Sequence, residues 1–137
     1  GDDAERPLPA EGERLTARML KLVRPLLRAD EILTSPWRRA RQTAELAAER
    51  LDLPLRDADW LTGDTDVEET ATHLAGSGDV VLVGHEPHLS RLIGYLTDGV
   101  AVELKKAGVA VLIGAPIAGG MTLRTLLDPK TVGRLRD

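Results

Sequence analysis

The chain has 137 residues, enough for one domain with an apolar core and too few for two. Its net charge of −4 and its 2% aromatic content argue against a general nucleic-acid-binding protein. Without cysteine it forms no disulfide, thiol nucleophile or cysteine metal site, and no apolar run approaches the roughly 20 residues of a membrane span. We therefore expect a cytoplasmic, monomeric, single-domain protein over residues 1–137.

In the first half of the chain, helical and strand patterns alternate. Apolar residues recur at helical spacing over residues 11–27, where Pro25 should strain the helix near its end. A short strand is predicted at Glu31–Thr34, and an alanine-rich helix at 37–50. The acidic stretch that follows is predicted to be irregular. It leads to a short helix at 66–74, whose first aspartate is a suitable N-cap.

The second half begins with the clearest strand, residues 79–84. Its unbroken apolar run predicts burial on both faces, as in a parallel sheet. Pro87 suits the start of a helix over 88–96, and strands at 108–113 and 121–127 should form a hairpin. The order of elements predicts an α/β fold, a three-layer sandwich with a mostly parallel central sheet and helices on both faces.

Three arginines, Arg38, Arg39 and Arg41, fall in the first turn of the helix at 37–50. Positive charge is unfavourable there, because a helix N-terminus already carries about half a positive charge. A bound dianion would remove the conflict. His85 follows the strand at 79–84, and the carboxyl ends of parallel strands share one edge of a sheet. Guanidinium, imidazole and helix N–H groups at one edge predict a phosphoryl-binding site.

Two segments carry a specific resemblance to a known family. Residues 34–49, TSPWRRARQTAELAAE, resemble the TSxxxRAxQTA motif of the histidine phosphatase (phosphoglycerate mutase-like) superfamily. Residues 81–93, VLVGHEPHLSRLI, resemble its second histidine motif. The segments ERPLPAEG, VELKKAGVAVL and LRTLLDPK resemble the small bacterial branch, the SixA-type phosphohistidine phosphatases. The resemblance covers nearly the whole chain and implies a phosphoglycerate mutase-like fold.

The resemblance also implies roles for two residues. Arg39 matches the phosphate-binding catalytic arginine, and His85 matches the histidine that contacts the phosphoryl group. It implies a phosphohistidine enzyme intermediate and neither metal nor cofactor, because cationic side chains stabilise the charge. The implied substrate is phosphohistidine on a signalling protein. The alternatives are a small-molecule phosphomonoesterase of the same fold and a non-catalytic phosphoprotein-binding module that has lost its nucleophile.

The family's nucleophilic histidine ends the first strand in an Arg-His-Gly or Arg-His-Ala motif, and this chain contains neither. His73 and His88 do not match the motif. The family's first strand is central in the sheet, and its loss would expose two edges of unpaired backbone groups. Since the chain starts at Gly1 rather than at methionine, we expect this strand upstream of Gly1.

Several other polar residues are explained by structure rather than by catalysis, and the leaving-group acid is not assigned. Arg38 and Arg41 are expected to flank the site or to form surface pairs with Glu45 and nearby aspartates. Pro9 stands where the small branch commonly has threonine, which removes a helix N-cap. A metal site at His85 and His88 is disfavoured by Pro87 between them and by the lack of cysteine. A solvated strand start is favoured for Lys105-Lys106 over a site for an acidic partner. For the leaving-group acid, position alone suggests three candidates: Asp64, Asp66 and Glu86.

Overall fold

The computed structural model describes residues 6–135, which form five helices and five strands within that range. The helices are α1 (Ala10–Val23), α2 (Arg38–Leu51), α3 (Val67–Leu74), α4 (His88–Leu96) and α5 (Pro129–Leu135). The strands are β1 (Glu31–Thr34), β2 (Leu55–Asp57), β3 (Val80–Val83), β4 (Val109–Gly114) and β5 (Met121–Leu127). Two 3₁₀ turns, Arg24–Leu26 and Asp59–Leu61, connect them.

The ends of the helices follow from single residues. α1 ends at Val23, and Pro25 lies in the 3₁₀ turn that follows, because proline has no N–H for a helical bond. At the other end of α1, Pro9 occupies the N-cap position and supplies no capping side chain, as predicted. Asp66 occupies the N-cap position of α3, but its carboxylate makes no capping hydrogen bond, contrary to the expected role.

One strand and one helix differ from the expected pattern. β2 lies in the stretch predicted to be irregular, and it pairs in parallel with β1, Ile32 opposite Leu55. Its three residues, Leu-Arg-Asp, contain too little apolar alternation to indicate a strand, so the pairing with β1 determines its conformation. The C-terminal helix α5 was not predicted either.

The three-layer arrangement is confirmed. The parallel sheet has the order β2-β1-β3. On one face Ile32 packs with residues of α1 and α2, namely Leu20, Ala44 and Ala47. On the other face Leu33 packs with Ala58 and Leu61, next to Leu82 of β3. Successive residues of β1 thus point to opposite helical layers, and Ile32 and Leu33 are fully buried.

The described strands form two sheets, and the predicted hairpin of 108–113 and 121–127 is one of them. β4 and β5 form a separate antiparallel pair, and no ladder joins β3 to β4. The carbonyl groups of Asp79 and Val83 accept hydrogen bonds from the β1 side. Because backbone groups alternate along a strand, those of Val80 and Leu82 point to the other edge, which has no strand partner within residues 6–135. Accordingly, the four residues of β3 are half-buried rather than fully buried as predicted.

Both sheets nevertheless contribute to one apolar layer. Val80 and Leu82 of β3 pack against a cluster on α3 and α4, and so do Leu112 of β4 and Met121 of β5. The cluster consists of Ala71, Leu74, Leu92 and Leu96. The same helix pair therefore covers both sheets. Within residues 6–135, no helix combines the length and apolar character needed to cross a bilayer.

Candidate active site

The segment Ser35-Pro36-Trp37 joins β1 to α2 at the candidate site. Thr34 and Ser35 are fully buried, and the Ser35 N–H donates to the Val83 carbonyl oxygen at 2.9 Å. The Trp37 N–H in turn donates to Ser35 Oγ at 3.2 Å. These bonds fix the carboxyl end of β1 to that of β3, and they start α2 beside the residues that follow β3.

His85 lies at this junction, as the sequence predicted. Its Nε2 is 2.8 Å from Ser35 Oγ, and its ring centroid is 4.6 Å from that of Trp37, with the planes tilted by 43°. Gly63 approaches the same pair, since a Cβ there would lie 3.8 Å from His85 Cβ. The imidazole is therefore held at one edge by a buried hydroxyl and on one face by an indole ring.

Arg39 is the second residue of α2, so its backbone leaves the same sheet edge at which His85 lies. It is half-buried, and its Nε is buried without a hydrogen-bond partner in the described chain. No ion pair of Arg39 is found among residues 6–135 either. A guanidinium N–H removed from water with no protein acceptor is costly, and an oxyanion is the acceptor that its fork geometry suits best.

The other two arginines of the cluster have different surroundings. Arg41 forms ion pairs with Asp57 and, at 3.6 Å, with Glu45, so the predicted surface pairing is confirmed for this residue. Arg38 is exposed and has no ion pair within the described chain. The arginine cluster thus separates into a half-buried residue, a surface-paired residue and an exposed one.

The other two histidines, His73 and His88, lie outside this junction. His88 is buried, and its Nε2 is 2.9 Å from Thr70 Oγ1, whereas its Nδ1 has no partner in the described chain. Burial lowers the pKa of His88. Arg91 acts in the same direction, and the carboxylates of Glu86 and Asp64 partly oppose the shift.

His73 is exposed and stacks on Trp60, with ring centroids 5.0 Å apart. Residues 6–135 contain no group of three or more histidine, aspartate or glutamate side chains that could hold a metal ion.

Two of the three candidate acids take part in local structure. Asp64 accepts a hydrogen bond from the Thr62 hydroxyl at 2.7 Å, and chiefly this bond lowers the pKa of Asp64. A lowered pKa is the opposite of what a general acid needs at neutral pH. The Glu86 carboxylate accepts hydrogen bonds from the N–H of Ser90 at 3.1 Å and from the Ser90 hydroxyl, both in the first turn of α4. Neither residue is thus prepared as a proton donor.

One cleft away from the candidate site is lined by acidic residues and does not favour phosphate. A cleft of about 260 Å³ between α1 and α2 is lined by Leu8, Glu13, Gln42, Glu45, Leu46 and Glu49. Its three carboxylates would repel an anion. Lys105 pairs with Glu103 at 2.7 Å on the surface, and this pairing raises the pKa of the Lys105 ammonium group.

Sequence reasoning did not identify Ser35 and Trp37 as neighbours of His85. Both stand inside the TSxxxRAxQTA-like segment, directly before the arginine cluster. That position was the available signal, because a residue at the end of β1 must face the residue that follows the adjacent strand β3. The role of Ser35 also required knowing that its hydroxyl is fully buried.

Comparison with known proteins finds similarity to one phosphatase superfamily. Residues 2–62 match the model of the histidine phosphatase superfamily (branch 1). An uncharacterised protein from Picosynechococcus sp. (strain PCC 7002) is 36% identical over 118 residues, which cover 79% of this chain and 72% of that protein.

Solved structures share the fold at low sequence identity. The protein histidine phosphatase SixA complexed with tungstate superposes with a TM-score of 0.87 at 23% identity, covering 96% of this chain and 90% of that one. The mycobacterial glucosyl-3-phosphoglycerate phosphatase complexed with VO3 superposes with a TM-score of 0.65 at 16% identity. The match covers 88% of this chain and 87% of that one. An Entamoeba histolytica phosphoserine phosphatase mutant in complex with phosphoserine superposes with a TM-score of 0.68 at 14% identity. The match covers 90% of this chain and 85% of that one.

The likeness to these structures extends over most of the described residues, and the family model covers the β1–α2 junction that carries Ser35 and Arg39. The α/β sandwich is therefore phosphoglycerate mutase-like, and residues 2–62 of the chain are similar to the histidine phosphatase superfamily (branch 1).

Proposed function

We propose that the protein is a phosphohistidine phosphatase that hydrolyses phosphohistidine on a signalling protein. The observation that carries the proposal is the junction of β1 and β3. There a single buried residue, Ser35, bonds to both Val83 and His85, and α2 begins three residues further on with Arg39 in its first turn. Cationic and N–H donors thereby share one sheet edge, as phosphoryl binding requires.

The start of α2 adds backbone donors to this site. The first helical bond of α2 runs from the Arg41 N–H to the Trp37 carbonyl, so the N–H groups of residues 38–40 precede the helical ladder. No side chain caps this end. Arg39 and His85 would hold the equatorial oxygens of the phosphoryl group and stabilise the charge of the transition state.

The nucleophile in this proposal is a histidine on a strand between β3 and β4. Both strands have an unpaired edge in the described chain, and both sheets pack under α3 and α4. A strand there would pair with the outward backbone groups of Val80 and Leu82, and its end would lie beside His85. An Arg-His-Gly or Arg-His-Ala sequence encoded shortly upstream of Gly1 would supply it.

The reaction then has two balanced steps. In the first, the nucleophilic nitrogen bonds to phosphorus as the bond to the substrate imidazole breaks, and that imidazole leaves with a proton taken from water. In the second, water attacks the phosphohistidine intermediate, the enzyme histidine is released, and inorganic phosphate forms. An imidazole leaving group needs protonation less than an alkoxide does, which fits a site whose carboxylates Asp64 and Glu86 are engaged elsewhere.

The test is phosphate release by the polypeptide as its gene encodes it. A phosphohistidine-carrying phosphotransfer domain should be hydrolysed with a higher kcat/KM than p-nitrophenyl phosphate or sugar phosphates. Equal or faster hydrolysis of the small esters would contradict the proposed substrate. Phosphoprotein binding without turnover would instead show a non-catalytic binding module, as would a gene whose start codon stands at the position of Gly1.

A phosphatase for small phosphoesters is the second candidate. It is favoured by the likeness to the glucosyl-3-phosphoglycerate phosphatase and to the phosphoserine phosphatase mutant. The same assay separates the two functions, because a small-ester enzyme would favour one ester over the phosphohistidine protein.

A further inference from the structure

We propose that Trp37 is a specificity-determining residue whose indole ring contacts the leaving group of the substrate and selects leaving groups that are aromatic. The inference deepens the proposed function, on which it rests for the identity of that group, the imidazole of phosphohistidine. The class of ligand that it assigns to Trp37 is wider and consists of phosphoryl compounds with an aromatic substituent.

Trp37 differs from the other aromatic residues of the chain in its surroundings. The chain has three aromatic residues, two tryptophans and one tyrosine. Trp60 and Tyr95 pack against the apolar cluster of α3 and α4. Trp37 belongs to none of the apolar clusters formed by residues 6–135, and its side chain is only half-buried. Core packing therefore does not explain a tryptophan at this position.

Contacts at the candidate site hold the indole ring in place. Its centroid is 4.6 Å from that of the His85 ring, and the two planes are tilted by 43°. On the benzo side of the indole, a Cβ added at Gly63 would lie 3.9 Å from Cζ3 and 4.0 Å from Cη2. The backbone N–H of Trp37 donates to Ser35 Oγ, which fixes the main chain as well. Because the ring is already ordered, a ligand that contacts it loses little affinity to the ordering of a side chain.

The topology of the sheet puts the leaving group on the side of Trp37. In-line phosphoryl transfer has the attacking and leaving atoms on opposite sides of phosphorus. The proposed nucleophile comes from a strand beside β3, on the edge of β3 that faces away from β1. The leaving group therefore departs on the β1 side, where Trp37 directly precedes α2. Arg39 would hold the phosphoryl oxygens while Trp37 contacts the ring that leaves.

An indole ring discriminates between leaving groups by its electron distribution. The faces of aromatic rings are negative and their edges are positive, so two rings attract each other in offset or edge-to-face arrangements. A saturated group of the same size makes only apolar contact. An aromatic pair strengthens binding by about 2- to 12-fold beyond the effect of the apolar area that it buries. Trp37 would thus favour the imidazole of phosphohistidine over the aliphatic leaving groups of sugar phosphates and phosphoserine.

Binding of two phosphonates to the complete polypeptide tests the inference without any need for turnover. Phenylphosphonate carries an aromatic ring, cyclohexylphosphonate carries a saturated ring with the same number of carbon atoms, and calorimetry gives Kd for both. The wild type should bind phenylphosphonate more tightly. Trp37→Leu should reduce this preference by about 2- to 12-fold, and Trp37→Phe should keep most of it.

Three results would overturn the inference. One is a wild type that binds neither phosphonate, and another is a wild type that binds both equally well, whether or not the variants fold. The third is an unchanged ratio of the two Kd values in Trp37→Leu. A displacement of His85 by the substitution would weaken both ligands, so it would not mimic a selective loss of phenylphosphonate.

Trp60→Leu is the control variant. Trp60 also contacts a histidine ring, that of His73 at 5.0 Å, but it packs against the core rather than beside His85. This substitution should therefore lower stability more than Trp37→Leu does. The ratio of two affinities does not depend on stability while the protein stays folded, so Trp60→Leu should leave it unchanged. Equal changes of the ratio in both variants would contradict a direct contact between Trp37 and the ligand.

Turnover then tests the leaving group that the proposed function names. Two peptides of one sequence, carrying phosphohistidine or phospholysine, both contain a P–N bond, but only in phosphohistidine does the leaving nitrogen belong to an aromatic ring. Trp37→Leu should lower kcat/KM about 2- to 12-fold more for the phosphohistidine peptide. Equal losses for both peptides would overturn the inference and leave the proposed function intact. Preferential binding of phenylphosphonate without turnover of either peptide would refute the proposed function and leave the Trp37 contact intact.

Discussion

Substitution of Arg39 by alanine distinguishes the proposed phosphate ligand from its neighbours in the arginine cluster. Each hydrogen bond to a charged group is worth about 1.5–3 kcal/mol, and a guanidinium fork makes up to two with an oxyanion. The loss should therefore be about 3–6 kcal/mol of transition-state stabilisation, or roughly 10²- to 10⁴-fold in kcat/KM. The described chain offers Arg39 no ion pair that the substitution would also break. The free energy of unfolding should accordingly not fall, because the substitution removes a buried N–H without an acceptor and a cation that opposes the helix dipole.

Arg41→Ala is the matched control, because the two residues lie in the same helical turn and differ in their partners. Arg41 pairs with Asp57 and Glu45 on the surface, where its side chain is 38% exposed. Such exposed pairs contribute about 0.2–1 kcal/mol to stability. We expect this variant to keep kcat/KM within about threefold of wild type and to unfold at slightly lower urea concentration.

The assay is phosphate release from a phosphohistidine protein by the complete polypeptide, with inhibition by tungstate measured in parallel. Arg39→Ala should weaken tungstate inhibition together with kcat/KM, since both depend on oxyanion binding. Losses of similar size in Arg39→Ala and Arg41→Ala would refute the assignment of the phosphate ligand. A destabilised Arg39→Ala protein would refute the claim that its guanidinium lacks a structural partner.

Three further predictions concern pH, fluorescence and the hairpin. Burial lowers the pKa of His88, so the unfolded chain takes up this proton first, and the free energy of unfolding should fall as pH drops below the ordinary value of 6.5. His88→Gln should remove that slope in urea titrations. Tungstate should change the emission of Trp37 beside His85 but not that of Trp60, so Trp60→Phe should keep a saturable response that Trp37→Phe loses. Gly114 has φ +124°, and an added Cβ would clash with backbone across the loop, so Gly114→Ala should destabilise by about 1–3 kcal/mol. Gly76→Ala, with its nearest contact at 3.7 Å, should change stability far less, and equal effects would contradict the strain argument.

The elements that sequence reasoning located well are those with a strong apolar repeat. The bounds of β1, α4 and β5 agree with the prediction to the residue. β2 was not predicted, because its three residues become a strand only by pairing with β1, which is a tertiary effect. The separation of the described strands into two sheets was not predicted either. The run Val-Val-Leu-Val of β3 is what a doubly covered central strand requires, yet pairing depends on which strands lie beside it.

For the candidate site, sequence reasoning identified residue types and the shared sheet edge but not the contacts. Arg39 and His85 were predicted from strand ends and from motifs, and their roles in catalysis stay predictions. The bond between Ser35 and His85 links residues 50 positions apart in the chain. Nothing in the local pattern encodes the burial of that hydroxyl, since serine is most often exposed.

The uncapped, arginine-rich start of α2 has a thermodynamic consequence beyond substrate recognition. The helix begins at Arg38 with no capping side chain and no acidic residue in its first turn. Each cation there opposes the helix dipole by about 0.3–1 kcal/mol, so the folded state carries an electrostatic penalty that an oxyanion relieves. Any ligand that binds only the folded state stabilises it by RT ln(1 + [L]/Kd). Inorganic phosphate, the product of the proposed reaction, is then also a stabiliser of the fold, and the melting temperature in phosphate buffer becomes a readout of site occupancy.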